Sequence, residues 1–144
     1  MSEYRFFHPV EVRYGDLDPQ GHVNNAKHLT YFEQARILYW IELGLFSRDQ
    51  SFTDIGVIVA DAHIRYVEPV RWGYPLKVGV RTTAIGNKSF TMQQSLVDEN
   101  GQRLYSEGTM VNVAFDYNKG ASIRVPEEWR KRIREYEGDA LTSS

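Results

Sequence analysis

The chain has 144 residues, with 17 Lys and Arg against 19 Asp and Glu and a formal net charge of −2. This length suits one domain with its own core, and the slightly acidic balance argues against a general nucleic-acid binder. No cysteine is present, which excludes disulfides, thiolate catalysis and cysteine-ligated metal sites.

A strand and a long helix are the first predicted elements. Loose alternation over residues 4–14 predicts the strand, and the polar segment 15–21 predicts a turn. Asn24 or Asn25 is a good N-cap, because its side-chain oxygen can accept from the first free N–H groups of a helix. Gly44 stands where a helix commonly ends. The apolar residues of one helical face are Ala26, Leu29, Phe32, Ala35, Tyr39 and Leu43.

From residue 58 the apolar residues alternate with a period of two, which indicates strands. In the first of these, Ile58, Ala60, Ala62, Ile64 and Tyr66 are expected to share one face. Further strands are predicted at 76–84, 90–96 and about 104–115. Gly-Asn at 86–87 predicts a hairpin turn. Pro126 suits the first position of a last helix.

The order of elements predicts an α+β fold, in which an antiparallel sheet of about five strands wraps around one long central helix. We expect a single domain over residues 1–138 and a frayed tail over 139–144. Exposed sheet edges are usually covered or paired, so edge-to-edge pairing of two copies is expected. The amino terminus lacks an apolar secretory signal and no window has the length of a membrane span, which predicts a cytoplasmic protein with no membrane partner.

Residues 13–28, Arg-Tyr-Gly-Asp-Leu-Asp-Pro-Gln-Gly-His-Val-Asn-Asn-Ala-Lys-His, are the segment richest in reactive groups. They place two carboxylates, an imidazole and a helix start in one short stretch. A carboxylate or an imidazole can act as acid or base. The unpaired N–H groups of a helix start can hold an oxyanion. These are the groups needed to attack a carbonyl.

The run from Tyr14 to Asn25, followed by Tyr-Phe-Glu-Gln-Ala-Arg at 31–36, resembles the hotdog-fold acyl-CoA thioesterases. The similarity is to the 4-hydroxybenzoyl-CoA thioesterase type and the bacterial YbgC-like enzymes. It implies that Asp18, the second Asp of a Gly-Asp-x-Asp-Pro-x-Gly motif, is the catalytic carboxylate. It implies that N–H groups around Asn25 polarise the thioester carbonyl. It also implies a homodimer or homotetramer, with sheets joined edge to edge and sites at the subunit interface.

Residues 22–25, His-Val-Asn-Asn, are similar instead to the plant acyl-carrier-protein thioesterases. The motif of those enzymes, Asp-x-Asn-Gln-His-Val-Asn-Asn, supplies an Asp, an Asn and a His. Asp18 and His22 match two of these, and Gln20 stands where the Asn would be. Lys-Ser-Phe at 88–90 resembles a segment that lies near the coenzyme A phosphates in the 4-hydroxybenzoyl type, which makes Lys88 a candidate substrate-binding residue.

Structural roles stay open for several of these side chains. Asp18 before proline could stabilise a turn, and His22 could bond a backbone carbonyl. Asp16 is expected to serve a turn or a cap. Glu33 and Arg36, three apart on the helix, are expected to form an ion pair, with a catalytic Glu33 as the alternative. Asp18 could attack the carbonyl directly or activate a water.

The sequence therefore predicts an enzyme that hydrolyses an acyl-CoA to the free acid and coenzyme A, with no metal and no other cofactor. One alternative is an acyl-carrier-protein thioesterase. Others are a hotdog hydratase or dehydratase, and a non-catalytic module that binds acyl thioesters. Hydrolysis is favoured because the motif places Asp18 before the helix, rather than the Asp/His pairs that resemblance to hydratases would require.

Overall fold

A computed structural model of the chain describes residues 4–51, 56–138 and 141. The elements are β1 (Phe6–Val10), a short 3-10 helix (Tyr14–Asp16), α1 (Asn25–Glu42), β2 (Val57–Tyr66), β3 (Leu76–Ile85), β4 (Ser89–Asp98), β5 (Leu104–Asp116), β6 (Ala121–Ser122) and α2 (Glu127–Glu137). Strands β1 to β5 form one antiparallel sheet in the order β1-β3-β4-β5-β2, and β6 pairs with the end of β5. The predicted α+β architecture is confirmed.

Several boundaries differ from those predicted. β1 ends well before residue 14, because the chain there coils into the 3-10 helix. Pro126 is the N-cap of α2 rather than its first residue, and the short β6 was not predicted. The tail predicted at 139–144 lies outside the described residues, apart from Leu141. Neither helix in the described part of the chain has the length and apolar character needed to cross a bilayer.

The long helix α1 begins and ends where its sequence predicts. Asn24 is the N-cap, and its Oδ1 accepts from the N–H of Ala26 at 2.9 Å. Gly44 follows the last turn with a φ of +79°, a left-handed conformation that glycine adopts without strain. Phe32 and Tyr39 on its inner face are fully buried. The sheet therefore packs around a helix whose start is fixed by its own cap.

The face of β5 that contacts α1 carries small and polar side chains. Its buried members are Ser106, Gly108, Met110, Asn112 and Ala114. A Cβ on Gly108 would stand 3.2 Å from the Phe32 ring and 3.0 Å from the carbonyl oxygen of His63. The close approach of the helix therefore selects a residue without a side chain at this position.

β2 does not keep the alternation that its sequence predicts. Its register against β5 shifts between Val59 and Asp61, which is a β-bulge. Residues directly opposite each other in adjacent strands share a face. The β2 partners of the helix-facing residues of β5 are Val57, Val59, Ala62, Ile64 and Tyr66. The prediction was therefore wrong for Ile58, because Val57 and Val59 lie on the helix side instead. Ala60, the extra residue of the bulge, has no partner in β5.

We expect Gly108→Ala to lower the free energy of unfolding by about 1–3 kcal/mol, because the added methyl overpacks the contact between β5 and α1. Urea denaturation followed by circular dichroism measures the loss. Gly15→Ala is the matched control, since nothing lies within 4 Å of a Cβ at that position. Equal stabilities for the two variants would contradict the close packing described above.

Candidate active site

The loop that leads into α1 is held by the buried Asp16. Its Oδ2 accepts from the backbone N–H of Arg13 at 3.0 Å and from the hydroxyl of Tyr31 at 2.7 Å. Its backbone oxygen accepts from the N–H of Asn24 at 2.8 Å. Burial and the bond to Asp16 raise the pKa of Tyr31. Asp16 thus has the structural role expected of it, and it ties the loop to the helix.

Asp18 uses one carboxylate oxygen inside the loop and leaves the other unpaired. Oδ1 accepts from the N–H of Gln20 at 2.9 Å and from that of His22 at 3.3 Å. Oδ2 has no hydrogen-bond partner among the described residues. The turn role that the sequence leaves open is therefore present, and it is compatible with chemistry at the second oxygen.

One free N–H group stands at the start of α1. The neighbouring N–H groups of residues 24, 26 and 27 have acceptors in Asp16 and in the Asn24 cap. The N–H of Asn25 has no acceptor in the described part of the chain. The hydroxyl of Tyr66 donates to the carbonyl oxygen of Asn25 at 2.9 Å and holds this residue in place. A fixed, unpaired donor at a helix start suits a developing negative charge.

These groups open onto one cavity of about 410 Å³, which lies between the loop, the start of α1 and the end of β2. Asp18, His22 and Asn25, three residues that the sequence suggested, all line it. Gln20 lines it too. The side chain of His22 has no hydrogen bond among the described residues, so its imidazole is available to a ligand.

His28 also lines this cavity, and sequence reasoning missed it. It is 2% exposed, and its Nδ1 lies 2.8 Å from Oγ of Ser106 on β5. Its ring meets the ring of Tyr66 edge to face, with 5.0 Å between centroids. Burial lowers the pKa of His28 to about 4, so the imidazole is neutral at pH 7. No sequence signal indicated it, because its contacts come from distant strands.

A second cavity, of about 830 Å³, runs between α1 and the bulged half of β2. Glu33 and Arg36 both line it, but the ion pair predicted between them is not formed. Arg36 is buried and donates from Nη1 to Oε1 of Gln94 at 3.0 Å, while Glu33 is exposed. Burial lowers the pKa of Arg36, and the charge of Glu33 opposes this shift. Glu33 therefore faces a different cavity from Asp18.

Lys88 is not brought to the candidate site within one chain. It is exposed in the hairpin between β3 and β4, where its carbonyl oxygen accepts from the N–H of Ala114. Ser106, which contacts His28, lies eight residues before Ala114 on β5. At the rise of a strand that separation is about 26 Å.

A long helix held against an antiparallel sheet of this strand order, with an acidic loop leading into its start, defines a hotdog-fold protein. The chain belongs to the Thioesterase-like superfamily, whose model matches residues 12–133. It is a thioester hydrolase.

Similar structures and relatives agree with this class. A thioesterase from Thermus thermophilus, solved with coenzyme A and zinc, is 36% identical, covers 96% of this chain and 98% of its own, and has a TM-score of 0.83. The long-chain acyl-CoA thioesterase FadM of Escherichia coli is 24% identical over 88% of this chain and 95% of its own length. A 4-hydroxybenzoyl-CoA thioesterase mutant bound to 4-hydroxybenzoyl-CoA is 19% identical over 89% of this chain and 97% of its own, with a TM-score of 0.79. That last likeness shows the fold alone.

We expect Tyr31→Phe to destabilise the protein by about 1–2 kcal/mol, because the buried Asp16 carboxylate loses a hydrogen-bond donor. Thermal and urea unfolding measure the change. Tyr14→Phe, at a tyrosine that is 78% exposed, is the matched control and should have little effect. A stability loss equal to that of the control would show that Asp16 does not depend on this bond.

Proposed function

We propose that the protein hydrolyses an acyl-CoA thioester to the free acid and coenzyme A. The observation that carries this proposal is one cavity with the unpaired Oδ2 of Asp18 and the free N–H of Asn25. The activities of two similar proteins support an acyl-CoA substrate. They are those of FadM and of the Thermus thermophilus thioesterase that binds coenzyme A.

In the proposed mechanism the thioester carbonyl oxygen accepts a hydrogen bond from the N–H of Asn25. Asp18 takes a proton from a water while the water oxygen bonds to the carbonyl carbon. Alternatively, Asp18 attacks that carbon itself and forms an acyl anhydride, which water then cleaves to the free acid and the Asp18 carboxylate. The negative charge that grows on the oxygen is stabilised at the helix start. The carbon–sulfur bond then breaks, and the departing thiolate takes up a proton, for which His22 lies in the same cavity.

Asp18→Asn should abolish turnover and leave binding intact, because the amide keeps the shape of the side chain but cannot act as a base or form the acyl intermediate. We expect a fall in kcat of about 100-fold to 10,000-fold. Thiol release from short, medium, long and aromatic acyl-CoAs measures activity. Calorimetry with an analogue whose thioester sulfur is replaced by a methylene measures binding.

Asp49→Asn, a substitution at an exposed aspartate outside the site, is the matched control and should match the wild type. A kcat of Asp18→Asn close to that of the wild type would remove Asp18 from the mechanism. If the wild type cleaves no acyl-CoA, the next assay uses the same acyl groups attached to an acyl carrier protein. Binding without cleavage of either class would favour the non-catalytic alternative and overturn the proposal.

We propose further that two copies pair through β2, as a dimer or within a tetramer. β2 is the last strand of the sheet in the described part of the chain, and its outer edge has no partner there. Ile58 and Val59 on it are 37% and 40% exposed. An unpaired edge with apolar side chains is a surface that proteins usually cover. A second copy of the same strand would pair with it antiparallel about a two-fold axis.

Such pairing would bring the hairpin with Lys88 to the site of the other copy. In antiparallel pairing, the Val57 end of one β2 lies beside the Tyr66 end of the other. Val57 pairs with Ala114 on β5, and the N–H of Ala114 bonds the carbonyl oxygen of Lys88. Lys88 of a second copy would thus stand at the same end of the joined sheet as Asp18. This position supports the proposal that the ammonium group of Lys88 binds the phosphates of coenzyme A.

Val59→Lys should separate the copies, because a lysine at the edge opposes strand pairing. We expect wild type to have at least twice the chain mass of 16.7 kDa in light scattering, and the variant to have the mass of one chain. His8→Lys on β1, at the opposite edge of the sheet, is the control and should stay associated. A monomeric variant with full activity would contradict a site shared between copies.

A further inference from the structure

His28 has one nitrogen held inside the protein and the other without a partner. Nδ1 lies 2.8 Å from Oγ of Ser106, and within the described residues Nε2 has no hydrogen bond. The fully buried polar side-chain atoms without a partner in that part of the chain are Arg36 Nε, Trp40 Nε1, Asn112 Oδ1 and Glu137 Oε1. Nε2 of His28 is not among them, so it keeps access to the cavity that the imidazole lines.

The contact with Ser106 assigns the tautomer of the imidazole. Ser106 is fully buried, and Nδ1 of His28 is the only partner of its hydroxyl in the described residues. A buried hydroxyl proton needs an acceptor, and Nδ1 can accept it only in the tautomer that carries its own proton on Nε2. His28 therefore presents an Nε2–H donor to the cavity.

The position of His28 on the helix brings this donor to the first turn. His28 follows Asn25 by three residues, so both lie on one face of α1. Side chains on a helix lean toward its amino terminus, and His28 therefore covers the turn that begins at Asn25. Both residues line the same cavity. The ring is held against Tyr66, which also bonds the carbonyl of Asn25.

We propose that His28 is a catalytic residue whose Nε2–H donates a second hydrogen bond to the thioester carbonyl oxygen, beside the N–H of Asn25. This inference rests on the proposed thioester hydrolysis. The donor is a neutral one, and it stabilises charge without giving up its proton. A two-donor arrangement fixes the oxygen in one position and holds the carbonyl carbon in reach of Asp18.

The surroundings of His28 agree with a neutral ring. Burial lowers its pKa to about 4. The titratable groups around it are the rings of Tyr31 and Tyr66, which it contacts, and Asp18, His22 and Glu68, which line the same cavity. A protonated ring would have no acceptor for the Ser106 hydroxyl, which adds to the cost of its charge.

The kinetic test compares His28→Phe with His28→Gln. Phe removes the donor, and we expect kcat to fall about 100-fold. KM should stay within about threefold, because the bond strengthens in the transition state. Gln restores an N–H donor and should recover most of the lost kcat. Ser106→Ala removes the hydroxyl that favours the Nε2–H tautomer of His28, and this variant should have an intermediate kcat. His8→Phe is the control for loss of a histidine outside the site.

Equal kcat values for His28→Phe and wild type would overturn the inference. So would equal losses in the Phe and Gln variants when both melt like wild type, because that pattern indicates a packing role. If neither variant folds, the wild-type chain still provides the test below.

Nitrogen-15 NMR of histidine-labelled wild type tests the donor without any turnover. We expect the Nε2–H tautomer of His28 from pH 8 to about pH 5, and a shift of its Nε2 resonance on addition of the methylene analogue of acyl-CoA. An Nδ1–H tautomer, or no shift while calorimetry detects binding, would overturn the inference. Failure of the proposed function is a separate result, since it would show as no cleavage of any thioester by wild type.

Discussion

The candidate site depends on the hydrogen bonding at the start of α1. The N–H groups of residues 24, 26 and 27 have acceptors, and that of Asn25 has none in the described part of the chain. The Asn24 cap, the buried Asp16 and the hydroxyl of Tyr66 fix every neighbouring group around Asn25. An unpaired donor normally gains an acceptor by a small movement of the chain. Here the hydrogen bonds on both sides of Asn25 oppose such a movement. This is pre-organisation achieved by ordinary hydrogen bonds, without backbone strain.

The proposed mechanism gives the two carboxylate oxygens of Asp18 separate roles. Oδ1 closes the loop by accepting from two backbone N–H groups, and this fixes the direction of Oδ2. A carboxylate that is rigid because it is structural loses little freedom when a substrate arrives. The structural and chemical interpretations of this residue are therefore two parts of one arrangement.

Much of this could be predicted from the sequence, because the signals were local. The helical period and Gly44 bounded α1 closely, and the turn residues at 86–87 placed the hairpin between β3 and β4. The loop segment at 16–25 identified the candidate carboxylate and the helix start. Each of these follows from residues within a few positions of one another.

What the sequence could not supply depends on contacts between distant segments. The bulge in β2 changes which residues face the helix, and a period-two pattern carries no sign of it. Arg36 forms no ion pair with the nearby Glu33, because its guanidinium donates a hydrogen bond to the side-chain oxygen of Gln94, on β4, inside the core. His28 gains its buried partner from Ser106, 78 positions away. Periodicity and spacing describe only neighbours along the chain.

The bulge also links two regions of the molecule mechanically. On one side of it, Val57 and Val59 form part of the wall of the larger cavity. On the other side, Tyr66 holds the carbonyl of Asn25. One continuous strand therefore serves both regions: its first residues form a wall of the larger cavity, and its last residue bonds the start of α1.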